Sequence, residues 1–292
     1  MPTLSTAMPA APAPRVGALL REWRHRRHRS QLDLALDAEI SQRHLSFLES
    51  GRSSPSRDMV LRLAETLEVP LRERNALLLA AGFAPVYDER SLDDPAMRAA
   101  RHVVDAILSA HAPNPALVVD RHWRMVASNS AVEPLLAGVT RPALLEPPVN
   151  VLRLSLDPGG LAPNIANLPE WRAHILGRLR RQVATNADPA LRSLLHELLL
   201  LGGEPDGRAR SVADSGIAVP LELDTAEGRL ALLSTTTVFG TPTEVTLSEL
   251  AVEAFYPADH ATGERLRRLH GRRQRPHQRL SLSAKPRPAA RR

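Results

Sequence analysis

The sequence predicts an all-helical N-terminal domain, followed by a mixed α/β domain with an antiparallel sheet. The first prediction rests on five short amphipathic stretches in quick succession between Arg15 and Gly82. The second rests on element order, because two strand-like runs, several helical runs and three further strand-like runs are typical of an antiparallel sheet. Net charge also changes along the chain, from +3 over 15–82 to −7 over 83–260 and +10 over 261–292. This asymmetry indicates separate tasks for separate segments.

Start and stop signals divide the first region into five helices. Gly51 and Gly82 follow apolar-periodic runs, where a residue without Cβ readily takes the left-handed conformation that ends a helix. Pro70 cannot extend the fourth helix, and Ser30 with Asp33 has the spacing of a capping box. The predicted helices are 16–27, 31–38, 41–50, 57–67 and 71–81.

The second region begins after a polar break at 88–95. A linking helix is expected over 97–110, and two β-rich runs at 117–120 and 123–128 predict a hairpin around Arg121 and His122. A Gly-rich loop is expected over 202–216. The remaining predictions are helices over 129–136, 171–181 and 189–201, and strands over 217–223, 229–239 and 250–256.

Both ends of the chain have biased composition. Residues 1–14 are rich in Pro and Ala and are predicted to be disordered, and the Arg/Pro-rich segment 261–292 is predicted to be a basic tail. That tail either adds weak phosphate contacts to DNA or serves only as a solubilising end. The folded parts are therefore expected to be a first domain over 15–86 and a second over 95–260.

Composition excludes several classes of protein. With no cysteine, the chain has neither disulfides nor thiolate metal sites. Its longest apolar runs are shorter than the roughly 18 to 20 residues of a membrane helix, and residues 1–14 lack the pattern of a secretory signal. We expect a cytoplasmic protein without membrane partner, metal or cofactor.

Catalytic patterns are incomplete. His196 and Glu197 lack the second histidine of H-E-x-x-H, the glycines at 202 and 203 lack the strand-to-helix setting of a phosphate loop, and no serine stands in G-x-S-x-G. We therefore predict that the chain is not an enzyme.

The most informative segment is 30–57. Apolar periodicity directs Ile40, Leu45 and Leu48 inward, and the short joint at Glu39 sets two successive helices at a steep angle. The second of these helices is then left with a narrow polar strip on its solvent side, formed by Gln42, Arg43, Ser46 and Phe47. Such a strip, with bidentate-capable side chains near the helix N-terminus, is what a helix needs to enter the DNA major groove. The alternatives are a merely solvated polar face and, for Phe47, packing against Trp23.

This segment resembles the helix-turn-helix of the lambda/434-type (Xre) regulators. The matching positions are Ser30-Gln31, Leu34-Ala35, Ser41, Leu45, Leu48-Glu49, Gly51-Arg52 and Pro55-Ser56. The resemblance implies double-stranded DNA as the partner and an ion pair between Arg24 and Glu49. It also implies glycine where this sequence has His28 and Glu39. The implied base-reading residues are Gln42, Arg43, Ser46 and Phe47, and the implied phosphate-binding residues are Gln31, Ser41, Arg52, Ser53 and Arg57.

Later segments resemble a narrower group, the MmyB-like regulators. They are the runs 43–49, 80–85 and 118–123, and the run Phe-Tyr-Pro-Ala-Asp at 255–259. The resemblance implies a lambda-repressor-like domain joined to a PAS-like α+β domain that binds a small apolar ligand such as a fatty acid. Candidate pocket residues, which are equally compatible with plain core, are Val118, Trp123, Met125, Ile175, Leu179 and Leu232.

The combined prediction is a transcription regulator that reads a pseudo-palindromic operator as a homodimer and senses a small apolar ligand through its second domain. The alternative is a DNA-binding regulator whose second domain only dimerises or binds a protein partner, without a small molecule.

Overall fold

A computed structural model describes residues 15–186, 188–202, 219–240 and 242–274. The predictions for 1–14, for nearly all of the loop 202–216 and for the tail beyond 274 lie outside these residues. Within the described part, no helix is long and apolar enough to cross a membrane.

The first region forms the five predicted helices. Their ends differ from the predictions by about one residue, which is the ordinary scatter of helix boundaries. Three serines act as N-caps: Ser30 forms a reciprocal capping box with Asp33, while the hydroxyls of Ser41 and Ser56 accept from backbone N–H groups of the following turn. The helices are α1 Val16–Arg26, α2 Gln31–Asp37, α3 Gln42–Glu49, α4 Arg57–Thr66 and α5 Leu71–Ala80.

A single apolar core joins these helices. Its members come from all five, and the largest of them are almost completely shielded from solvent. They include Leu20, Leu34, Leu45, Leu63 and Leu77. The core fixes the angle at which α3 meets its neighbours.

The second region is built on one antiparallel sheet of five strands, in the order β2-β1-β5-β4-β3. The strands are β1 Ala116–Val119, β2 Met125–Ser128, β3 Leu221–Thr225, β4 Gly228–Val238 and β5 Ala251–Pro257. The predicted hairpin is present as the β1–β2 pair. The predicted fold class, a five-helix domain followed by a PAS-like α+β domain with an antiparallel sheet, is confirmed.

Helices cover the two faces of this sheet. One face packs against α6 Arg98–His111, through a small cluster that contains Val104, Leu108 and Val118. The other faces the larger core, to which further helices contribute. These are α7 Val151–Leu156, α8 Leu168–Thr185, α9 Pro189–Leu200 and α11 His260–Gln274, and a short α10 Val245–Ser248 precedes β5.

Several elements differ from the predictions, among them the unpredicted α10 and the strand expected over 217–223, which is β3 Leu221–Thr225. The helix expected over 129–136 is a 3-10 helix, Glu133–Gly138. Helix α7 was not predicted, because its six residues are too few for apolar periodicity to be recognisable. Helix α11 covers the start of the predicted tail, and its Leu266, 2% exposed, lies in the larger core. This helix has no recognisable apolar periodicity in the sequence, because arginines surround its few apolar residues.

Candidate functional site

Helix α3 is held against α2 through a tight turn. Glu39 has φ of 55°, in the left-handed region, and the next residue, Ile40, donates its N–H to the carbonyl of Ala35 at 2.9 Å. Leu45 and Leu48 then enter the core with at most 1% of their surface exposed. The opposite side of α3 is consequently directed away from the domain.

An ion pair between Arg24 and Glu49 locks α1 to the end of α3. Arg24 donates from Nε and Nη2 to the two carboxylate oxygens at 2.7 and 2.9 Å, and both residues are buried. Burial on its own would raise the pKa of the Glu49 carboxyl, but hydrogen bonds from Arg24 and Gln31 outweigh it and hold the pKa below its usual range. The expected pair is confirmed, and its Glu49 carboxylate is ionised at neutral pH.

The predicted base-reading residues all lie on the outer side of α3. Gln42 and Arg43 are exposed, whereas Ser46 and Phe47 are half-buried. The guanidinium carbons of Arg43 and Arg52 lie 5.4 and 5.8 Å from the centre of the Phe47 ring, which is the range of cation–π contacts. Phe47 therefore lies between two cations on the polar face, while Trp23 is buried in the core of the helical domain.

The predicted phosphate-binding residues fall into two groups. Arg52, in the loop that joins α3 to α4, and Arg57, the first residue of α4, are both exposed. The side chains of the other three either form hydrogen bonds within the domain or have a polar atom buried from solvent. The hydroxyl of Ser41 caps α3, the amide of Gln31 donates to Glu49 at 2.8 Å, and the hydroxyl of Ser53 is buried with no hydrogen-bond partner among the described residues.

An apolar cavity of about 110 Å³ lies between the sheet and helices α7 and α8. Leucines from β1, β3 and β4 line one side, and residues of the helices line the other. Of the predicted pocket residues, Trp123, Met125, Ile175 and Leu232 line this cavity.

Two predicted pocket residues lie elsewhere. Val118 points to the opposite face of the sheet, where it packs with Val104 and Leu108 of α6. Side chains alternate along a strand, so the neighbours Leu117 and Val119 face the larger core instead. Leu179 is fully buried in that core and is not among the residues that line the cavity. The sequence could not fix which face of the hairpin is inward, and this accounts for the error at Val118.

Five of the described residues that line the cavity have polar side chains. Arg178 of α8 donates from Nη1 and Nη2 to the two carboxylate oxygens of Glu253 on β5, at 3.0 and 2.6 Å. The Arg178 guanidinium also lies 4.5 Å from the centre of the Trp123 ring. The other three polar residues of the lining are Ser155, His174 and Ser234.

None of these polar residues was among the pocket residues predicted from the sequence. Glu253 had one recognisable signal, since a lone carboxylate inside the apolar run of β5 needs a buried partner. Arg178 had none, because it is one of five basic residues along α8.

A second cavity, of about 370 Å³, lies where the two regions meet. The helical region contributes Trp23, Pro70 and Arg72 to its wall. The sheet region contributes Trp123 and Arg178, which also line the apolar cavity. The two side chains therefore separate a cavity inside the sheet domain from the junction with the helical domain.

Two family models match the chain. Residues 20–74 match the model described as helix-turn-helix. Residues 100–269, more than half of the 292 residues, match the model described as the MmyB-like transcription regulator ligand binding domain. A search of curated proteins gives no match.

Solved structures give more distant similarities. One is the PAS domain from Bordetella pertussis BvgS, at 18% identity over 60% of this chain and 97% of that chain, with a TM-score of 0.23. Another is an RNA-binding Light-Oxygen-Voltage receptor, at 12% identity over 88% of this chain and 64% of that one, also with a TM-score of 0.23. With TM-scores this low, neither structure bears on the function.

The helix-turn-helix match covers α2 and α3, where Gln42 and Arg43 are exposed, and the ligand-binding match covers the sheet and its cavity. The chain therefore belongs to the MmyB-like branch of the Xre-type helix-turn-helix regulators and is a DNA-binding transcription regulator.

Proposed function

We propose that the regulator binds a pseudo-palindromic operator as a homodimer, and that a small apolar ligand in the cavity of the sheet domain changes its affinity for DNA. In this proposal residues 15–86 form the DNA-binding domain, and residues 95–260, extended by α11, form the ligand-binding domain. Gln42, Arg43, Ser46 and Phe47 read bases, and Arg52 and Arg57 bind phosphates, with lesser support for Gln31, Ser41 and Ser53.

The main support for a ligand response is that the two cavities have two side chains of their walls in common. Trp123 and Arg178 line both the apolar cavity and the cavity at the domain junction. Trp123 is further tied to α8, because its Nε1 donates to Oε1 of Gln182 at 2.7 Å. A ligand that displaces either side chain therefore alters the surface against which the helical domain rests. A ligand shifts DNA affinity only if it binds two arrangements of the domains differently.

The two-fold symmetry follows from the way such helices read DNA. One α3 helix contacts only a few base pairs, and two copies related by a two-fold axis contact half-sites about one DNA turn apart. Sedimentation of the free protein and of its DNA complex tests the dimer directly.

Selection of bound duplexes from a random pool, with and without an apolar extract of cells, tests the whole proposal. We expect a pseudo-palindromic consensus whose affinity changes with the extract. Ile175 lines the cavity, so Ile175→Trp should fill it and abolish the response while DNA binding without extract persists. An asymmetric consensus would contradict the dimer. An extract that has no effect, together with no small molecule released on denaturation, would favour a second domain that only dimerises or binds a protein.

A further inference from the structure

We propose that the cavity selects an electrically neutral ligand, a small apolar molecule with one uncharged hydrogen-bonding group, such as an amide, ester or alcohol, and discriminates against carboxylates. This inference rests on the proposed function, because it assumes that the cavity is the ligand site. It departs from the fatty acid that the family resemblance implies, since a fatty acid is ionised at neutral pH.

The charges that line the cavity cancel each other. Among the described residues that line the cavity, Arg178 carries the one guanidinium, and this group donates two hydrogen bonds to Glu253, at 3.0 and 2.6 Å. The hydroxyl of Thr236 donates to the same carboxylate at 2.9 Å and is itself a partner of Arg178. Only 6% of the Glu253 side chain is exposed, so water screens the pair poorly on that side.

A carboxylate ligand would therefore meet a neutral pair rather than a free cation. Its attraction to Arg178 would be offset by repulsion from Glu253, a few ångströms away. The cost of removing the ligand carboxylate from water would remain without compensation. A neutral ligand avoids that cost, and it keeps the hydrophobic gain from the leucines that line the cavity.

The other polar groups of the lining suit an uncharged partner. Burial, followed by the charges of Arg178 and Arg181, lowers the pKa of His174 below its ordinary value of 6.5, and this outweighs the opposite effect of Glu253. The imidazole is thus neutral at pH 7 and presents one donor and one acceptor. The hydroxyl of Ser155 accepts from Nε1 of Trp171 at 2.9 Å, which leaves its own proton to donate to another acceptor.

The cavity volume limits the size of the ligand. At about 110 Å³ it is somewhat smaller than the 150 Å³ cavity that accommodates benzene. A short chain or a single ring fits with modest adjustment of the flexible leucine side chains.

Hexanamide and hexanoate form a matched pair for the test, because they share shape and size and differ in charge at pH 7.5. Calorimetric titration of the full chain should show hexanamide binding about tenfold tighter or more, as expected when one ligand brings an uncompensated charge into the cavity. Equal or tighter binding of hexanoate would overturn the inference and leave the proposed ligand site standing. If neither compound binds, and decanamide and decanoate do not bind either, the proposed ligand site fails together with the inference.

Two variants test whether the ion pair of Arg178 and Glu253 determines this preference. Glu253→Gln leaves the charge of Arg178 without its partner, so the order of affinities should reverse in favour of hexanoate. The double change Arg178→Gln with Glu253→Gln removes both charges and should keep the preference for hexanamide. A single variant that still prefers hexanamide, while thermal unfolding shows it to be folded, would contradict the role given to this pair. The wild-type comparison decides the matter if the single variant does not fold.

Discussion

Arg72 on α5 and Glu249, just before β5, form a bidentate ion pair that joins the DNA-binding helices to the ligand-binding domain. Nε and Nη2 of Arg72 lie 2.8 and 3.0 Å from the two carboxylate oxygens. The hydrogen bonds that the Arg72 guanidinium donates to Glu249 and then to Glu89 raise its pKa above the usual value and outweigh the opposite effect of burial. Arg121 lies 3.7 Å from the same carboxylate. The Arg72 guanidinium therefore stays charged, and the pair belongs to a small network at the domain junction.

The linker between the domains forms hydrogen bonds with each of them. The side chain of Asn75 on α5 accepts from the N–H groups of Val86 and Tyr87 at 3.0 and 3.1 Å, and donates to the carbonyl of Tyr87 at 2.7 Å. On the other side, the carbonyl of Asp88 accepts from the N–H of Val245 at 2.8 Å. With the ion pair, these bonds fix α5, and through the core of the helical domain α3, relative to the ligand-binding domain.

Breaking the junction should uncouple the domains. We expect a double-mutant cycle of Arg72→Met and Glu249→Leu to show a coupling energy of about 0.5 to 3 kcal/mol in urea unfolding, because the two side chains interact directly. Both single variants should also reduce the ligand-induced change in DNA affinity. Arg98→Met, at an exposed arginine of α6, is the matched control. Additive effects of the two single changes would show that the pair contributes nothing to the junction.

The two arginines beside Phe47 should behave differently on DNA. Arg43 lies on α3, so Arg43→Ala should lower specific binding by roughly 1 to 3 kcal/mol and relax sequence choice. Arg52 lies in the following loop, and Arg52→Ala should weaken binding to all sequences alike, with a shallower salt dependence. Gel-shift titrations against cognate and scrambled duplexes measure both effects. Equal losses on the two duplexes for Arg43→Ala would remove Arg43 from the base-reading residues.

The buried pair of Arg24 and Glu49 should make the stability of the DNA-binding domain sensitive to acid. The pKa of Glu49 is lowered in the folded state, so its contribution is present above the ordinary value of 4.5 and is lost as pH falls through the folded value. At pH 7, Glu49→Gln should lower the free energy of unfolding by about 1.5 to 3 kcal/mol, the range for hydrogen bonds to charged groups. Urea unfolding at pH 7 and pH 4 should show the gap between variant and wild type narrowing on acidification. A constant gap would mean that the charge of Glu49 is not what stabilises the pair.

Local signals in the sequence predicted the helical domain well. Its helices are bounded by capping residues and glycines, and the apolar residues of its core recur every three to four positions. The same signals, with the family resemblance, placed Gln42 and Arg43 on α3, where both are exposed. The cavity was harder to predict. The inward face of a strand depends on pairing with distant strands, as Val118 shows, and Arg178 is paired with Glu253, a residue 75 positions away in the sequence.

The turn before α3 offers a test of local strain. Glu39 has φ of 55°, a conformation that costs a residue with Cβ roughly 1 to 2 kcal/mol, and related proteins are expected to have glycine there. Glycine relieves this strain but loses about 0.5 to 1 kcal/mol of backbone entropy on folding. Glu39→Gly should therefore raise the free energy of unfolding by up to about 1.5 kcal/mol, the largest difference between these two ranges. Glu65→Gly, at an exposed position in the last turn of α4, is the matched control and should lower it by up to about 1 kcal/mol. If urea unfolding shows the same loss for both variants, the turn at Glu39 is not strained, and its geometry must be set by the packing of Ile40 and Leu45 alone.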